Sequence, residues 1–94
     1  MGQPVTVIEN PSSTPGLVRY ETNRPLSGTG HEIYRSIDDV KAERPADRVA
    51  RAVFEWGDVD AVHINSNVVT VHLGTTDSKG LKETIEDVFL FYRD

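Results

Sequence analysis

Ala61-Val62-His63-Ile64-Asn65-Ser66-Asn67-Val68-Val69-Thr70-Val71-His72-Leu73 is the stretch that decides the fold of this chain. Val62 and Ile64 alternate with His63 and Asn65, and Val69, Val71 and Leu73 alternate with Thr70 and His72. Alternation of period two marks strands with one buried face. A two-residue loop at Ser66-Asn67 pairs Ile64 with Val69 and Val62 with Val71. That register puts every large apolar side chain except Val68 on one face, and a slip of one residue in one strand would expose a row of them. The stretch therefore predicts a β-hairpin, with His63, Thr70 and His72 on its polar side.

A helix is expected on each side of this hairpin. From Pro45 to Trp56, the residues Ala46, Val49, Ala50, Val53 and Phe54 fall at helical spacing on one face, with Arg48, Arg51 and Glu55 opposite. Pro45 suits a first helical position, Asp47 suits the positive end of the helix dipole, and Gly57 is the expected left-handed stop. A second helix is expected from about Lys79 to Tyr92, capped by Asp77 or Ser78, with Leu81, Ile85, Val88, Phe89 and Tyr92 as its apolar stripe. Lys79 with Glu83 and Lys82 with Glu86 form i,i+4 pairs on its wet face.

The amino-terminal half carries weaker signals. Val5 to Ile8, Leu17 to Tyr20 and Glu32 to Ile37 are strand candidates, separated by turn-forming runs at Asn10–Gly16 and Asn23–Gly30. The order is β-β-(β)-α-β-β-α. Each helix has one apolar stripe and covers one sheet face, so the expected fold is α+β. It is a two-layer α/β sandwich whose antiparallel or mixed sheet of four to five strands carries both helices on one side. The far side of the sheet is then left for solvent or a partner.

Composition narrows the function. Ninety-four residues make a single domain over residues 1–94. The absence of cysteine excludes disulfides, thiolate zinc sites, a cysteine nucleophile and a Cys-ligated cluster within this chain. A net charge of −5, spread evenly, argues against nucleic acid and anionic membranes as partners. No apolar run reaches a membrane span. The start, Met1-Gly2-Gln3-Pro4-Val5-Thr6, lacks the basic and apolar stretches of a signal peptide. It matches the myristoylation pattern, Gly2 followed by Thr6, but has no polybasic patch beside it. A cytoplasmic location is the expectation.

Candidate chemistry is sparse. His63 and His72 are diagonal neighbours on adjacent strands beside Thr70, and two imidazoles so placed can take a metal ion. A closed site needs three or four ligands, and the third histidine, His31, is expected in a separate, distant loop. Ser27-Gly28-Thr29-Gly30 offers backbone N–H groups but lacks the Gly-Lys-Ser/Thr ending of a phosphate loop. Ser27, Thr29 and His31 come without an orienting group or pocket, so neither catalytic residues nor a cofactor are assigned. Asp38-Asp39 and Glu86-Asp87 read as ordinary solvated acids. Trp56 is either core or an exposed anchor. Phe89-Leu90-Phe91-Tyr92 overfills one stripe, which suits either a folded-back last turn or a small homodimer contact.

A family resemblance adds to this. Pro45-Ala46, Ala50-Arg51-Ala52-Val53-Phe54-Glu55, Val59-Asp60-Ala61-Val62 and Asn67-Val68-Val69-Thr70-Val71 together resemble the N-terminal domain of the Nfu/NifU iron–sulfur scaffold proteins. That family shows a helix ending in Leu-Phe-Glu, a Gly-Val-x-x-Val entry to a strand, and an aromatic-or-aliphatic-Thr-Val strand after a tight turn. Asn10-Pro11 and Thr14-Pro15 are similar to its Thr-Pro-Asn-Pro opening. Gly57-Asp58-Val59 departs from the usual Gly-Val pair, and His72 stands where the family has Lys. The family's Cys-x-x-Cys module belongs to a separate C-terminal domain and has no counterpart here. The resemblance implies a two-layer α/β fold and a stand-alone accessory domain of iron–sulfur cluster assembly. It implies docking to a scaffold, carrier or client without ligating a cluster or acting as an enzyme. The open sheet face around His63, Thr70 and His72, with Arg24 and His31 of the adjoining loop, is the expected partner surface. A monomer or weak homodimer is expected. The alternatives are a small metal-binding protein using His63 and His72, or a structural homodimeric domain.

Overall fold

The hairpin forms in the expected register. β4 (Val59–Asn65) and β5 (Val68–Leu73) are antiparallel, with Ile64 opposite Val69 and Val62 opposite Val71. Ser66 at the turn adopts φ 57°, the left-handed conformation that a two-residue hairpin loop demands. The structure is a computed structural model and describes residues 6–23, 26, 31–42, 44–74 and 78–91, with side chains of the last helix described as far as Val88.

Three more strands complete the sheet: β1 (Val7–Pro11), β2 (Leu17–Thr22) and β3 (His31–Tyr34). The order across the sheet is β1-β2-β5-β4-β3, and every neighbouring pair is antiparallel. The two least regular strands lie at the edges, where a proline such as Pro11 and a length of four residues in β3 are tolerated. β1 runs three residues past the expected Ile8, because Asn10 and Pro11 still pair with Arg19 and Val18. The turn into β2 needs Gly16, whose φ of 81° favours glycine and whose carbonyl accepts the Leu73 N–H at 2.7 Å.

α1 spans Pro45–Trp56, as the spacing predicts, and buries Ala46, Val49, Ala50 and Val53. Gly57 is a correction: its φ of 164° is extended backbone, so the helix ends without a left-handed cap. α2 (Leu81–Phe91) begins two residues later than expected because Gly80, at φ 85°, turns the chain into it and accepts the Thr84 N–H. Leu81 and Ile85 are fully buried, Val88 packs at the margin, and Lys82 meets Glu86 at 3.7 Å. Trp56 belongs to the core edge. It packs against the buried cluster, and its indole N–H donates to the Lys79 carbonyl at 3.2 Å, which ties the end of α1 to the start of α2.

Both helices lie on one side of the sheet. α1 packs over β4, α2 over β1, and the two helices pack against each other. Tyr20, Val62, Ile64, Val69 and Val71 point into this layer and are completely buried. The fold is therefore α+β, a five-stranded antiparallel sheet with two helices on one face.

Candidate functional site: the uncovered sheet face

Strand alternation puts a second set of side chains on the face without helices. Across five strands, one row reads Asn10, Arg19, Thr70, His63, Ile33. A second reads Ile8, Glu21, Val68, Asn65, His31, and a third, shorter row reads Leu17, His72, Ala61. His63 and His72 are diagonal neighbours here, since His63 faces Thr70 and His72 faces Ala61. Ile8 and Ile33 are the most exposed large apolar side chains among the described residues, at 56% and 59%.

His31 overturns one expectation. It is not in a distant loop but opens β3, opposite Asn65, and so lies on the other diagonal neighbour position of His63. Its Nδ1 is 2.8 Å from His63 Nε2. The ring centres are 4.9 Å apart and the planes differ by 21°. With the facing nitrogens this close and the centres this far apart, the rings meet edge to edge. The contact is thus an N–H···N hydrogen bond in which one nitrogen donates and the other accepts. All three histidines of the chain therefore lie on one diagonal line across β3, β4 and β5. Partial burial, followed by the nearby His31 and His72 rings, holds His63 below the usual imidazole range.

A polar cluster around the buried Asp47 carboxylate fixes β3, and with it His31 and Ile33. The Tyr34 hydroxyl donates to Asp47 Oδ1 at 2.8 Å, and Asp47 is 1% exposed. Arg44 donates to the same carboxylate through Nε at 2.7 Å and through its backbone N–H at 3.1 Å. Its guanidinium also reaches Glu32 on β3 at 3.2 Å. The Arg44 hydrogen bonds outweigh burial and hold the Asp47 carboxyl below the usual carboxylate range. Burial and the Asp47 carboxylate push the Tyr34 hydroxyl up. The expected solvated acids, Asp38 and Asp39, do sit exposed on a 3-10 turn (Ile37–Asp39), where Asp39 accepts the Arg35 N–H.

The hairpin turn has a second anchor. Asn67 exchanges hydrogen bonds with Thr22, its side chain donating to the Thr22 carbonyl at 2.9 Å and its carbonyl accepting the Thr22 N–H at 2.9 Å. Ser66 accepts the Leu26 N–H at 2.7 Å, and Leu26 is buried. This brings Leu26 beside the turn. Arg24 and the Ser27–Gly30 loop lie outside the described residues, as does the Gly2 acylation signal. The side chains of the Phe89-Leu90-Phe91-Tyr92 run lie outside them too.

Among the described residues, no group of three or more His, Asp or Glu is arranged to hold a metal ion. Between α1 and α2, Ala52, Trp56, Thr84 and Val88 line an open depression of about 360 Å³. No helix of the described residues is long and apolar enough to cross a membrane. Sequence reasoning counted His31 in the partner surface only as a loop residue, because it started the third strand one residue late, and it did not assign Ile33, inside that strand, to the uncovered face. The signal was present: Tyr34 as an inward residue places Glu32 inward and Ile33 and His31 outward.

No family model matches the sequence, and no curated protein matches it. Among solved structures, the chain is similar to protein SAV1430 from Staphylococcus aureus, determined by X-ray crystallography. The TM-score is 0.66 at 12% identity, over 89% of this chain and 98% of that one. At that identity the likeness is one of fold.

Proposed function

We propose that this domain is an accessory docking module of iron–sulfur cluster assembly that ligates no cluster itself and binds a scaffold, carrier or client through the uncovered face of its sheet. The observation that carries the docking part is one-sidedness. Both helices cover the same face, so the other presents five paired strands bearing Arg19, Ile33, Thr70 and all three histidines. A sheet face with exposed Ile8 and Ile33 among polar side chains has the makeup of a small, partly wet interface. The iron–sulfur part rests on the motif resemblance between Pro45 and Leu73. No cysteine is available to ligate a cluster, so the role that suits this chain is protein contact.

Affinity capture from native extract, with bound proteins identified, tests this reading. Wild type is expected to retain a cluster-assembly protein, and the His63→Glu/His72→Glu variant to lose it. Retention of no such protein, or retention indifferent to the substitutions, would refute it. Calorimetric titration with Zn²⁺ addresses the metal alternative. Submicromolar binding lost in His63→Gln would favour that alternative, because an open pair of imidazoles without further ligands binds weakly.

A further inference from the structure

Building on the reading of the uncovered face as the docking surface, we infer that its partner presents a cluster of carboxylates and that the histidine diagonal makes the contact proton-dependent. The chain as a whole is acidic, with 15 Asp and Glu against 10 Lys and Arg. On the uncovered face, histidines are as numerous as fixed charges. Among the described strand residues, Arg19 and Glu21 point to it from β2, exposed Asp60 forms the β4 bulge beside Ala61 and opposite His72, and the remaining titratable groups are His31, His63 and His72. β1 contributes only Ile8 and Asn10. With neutral imidazoles these groups carry one net negative charge. With all three protonated they carry two net positive charges, in a molecule that is acidic overall.

The His31–His63 bond sets how that charge arrives. In the neutral pair one proton lies between Nδ1 of His31 and Nε2 of His63. A first added proton goes to the outward nitrogen of the donating ring, since the accepting ring already carries its N–H outward, and the bond survives in charge-assisted form. A second proton puts an N–H on both facing nitrogens, so the ring edges must part. Carboxylates of a partner stabilise each of these protonated forms, and by linkage protonation then strengthens binding. Exposed Ile33, directly opposite His63, gives such a partner an apolar contact beside the charged line.

Amide-resolved NMR titration of the full chain with a hexa-aspartate peptide at low salt tests the inference, at about pH 5.5 and about pH 7.5. The expected result is saturable shifts at Arg19, His63, Thr70 and His72, with affinity about tenfold higher at the lower pH. The His31→Gln/His63→Gln/His72→Gln variant is expected to bind equally weakly at both pH values. His72→Gln alone, the mildest change, is expected to reduce the pH ratio by about threefold, and it serves if the triple variant does not fold. Shifts confined to the helices, equal affinity at both pH values, or an unchanged ratio in the variants would overturn the inference. The probe contains no iron–sulfur protein. Failure here leaves the capture experiment to decide the assembly role, and failure of capture leaves this binding to stand or fall on its own.

Discussion

The two faces of the sheet are made by the same strands and answer to different physics. On the covered face, polar groups are few and those of Asp47 and Tyr34 are matched to partners. On the uncovered face, three imidazoles share a diagonal and two large aliphatic side chains meet solvent. Neighbouring residues such as His63 and Ile64 therefore belong to separate tasks. The difference teaches that core packing and the proposed docking surface are interleaved at period two along each strand, so substitutions one residue apart fall on different faces.

The sharpest test of that division is an isoleucine pair. Ile64→Ala empties a fully buried site and is expected to cost about 2–5 kcal/mol, read from urea unfolding. Ile33→Ala, on the exposed face, should stay within about 0.5 kcal/mol. Equal losses would erase the distinction.

Next in size is the buried carboxylate. Asp47→Ala leaves the Tyr34 hydroxyl without its acceptor in the core and is expected to cost about 1–3 kcal/mol at neutral pH. The sign with pH follows from its depressed ionisation. The stability it supplies is complete above the ordinary value of 3.8 and disappears as pH falls through the lower folded value. Acid unfolding followed by circular dichroism should be less steep in the variant than in wild type.

Tyr20 gives an alkaline counterpart. Its hydroxyl is buried and has no hydrogen-bond partner among the described residues, although Ser78 lies near enough to oppose the effect of burial. Burial pushes it up to about 12 from 10.0. The contribution of the neutral phenol is intact below pH 10 and is lost as pH rises through about 12. Tyr20→Phe is expected to remove that loss, and ultraviolet detection of phenolate formation against unfolding checks it.

The smallest effect belongs to the exposed face. His63→Gln should change stability by no more than about 0.5 kcal/mol at neutral pH. Since the folded protein holds His63 below 6.5, wild type loses stability as pH falls from there through the folded value, and the variant should not. Thermal midpoints at a series of pH values between those limits would show it.

Much of this division is legible in the sequence, for a physical reason. The pattern from Val62 to Leu73 admits one register, because any other exposes a row of valines, and the structure has that register. The span of α1 is set by a proline at its start and a continuous apolar stripe. What escaped the sequence depends on contacts distant along the chain. Asp47 looks like an ordinary first-turn acid, yet Tyr34, 13 residues away, draws it into the core. Gly57 looks like a left-handed stop, but it is extended and the chain passes directly into β4 at Val59. His31 looks like a loop residue because glycines precede it, and only the pairing of β3 with β4 puts it against His63.

The uncovered face comes into being only when remote strands meet. Its middle seam joins β2 to β5, with Arg19 beside Thr70 and Leu17 beside His72, and Thr22 is tied to Asn67 across 45 residues of chain. The two hairpins on either side can close locally, whereas this seam has to wait for remote segments to meet. A growing polypeptide thus has no finished uncovered face until its second hairpin has been made, and under the proposed docking role partner binding becomes a readout of completed folding.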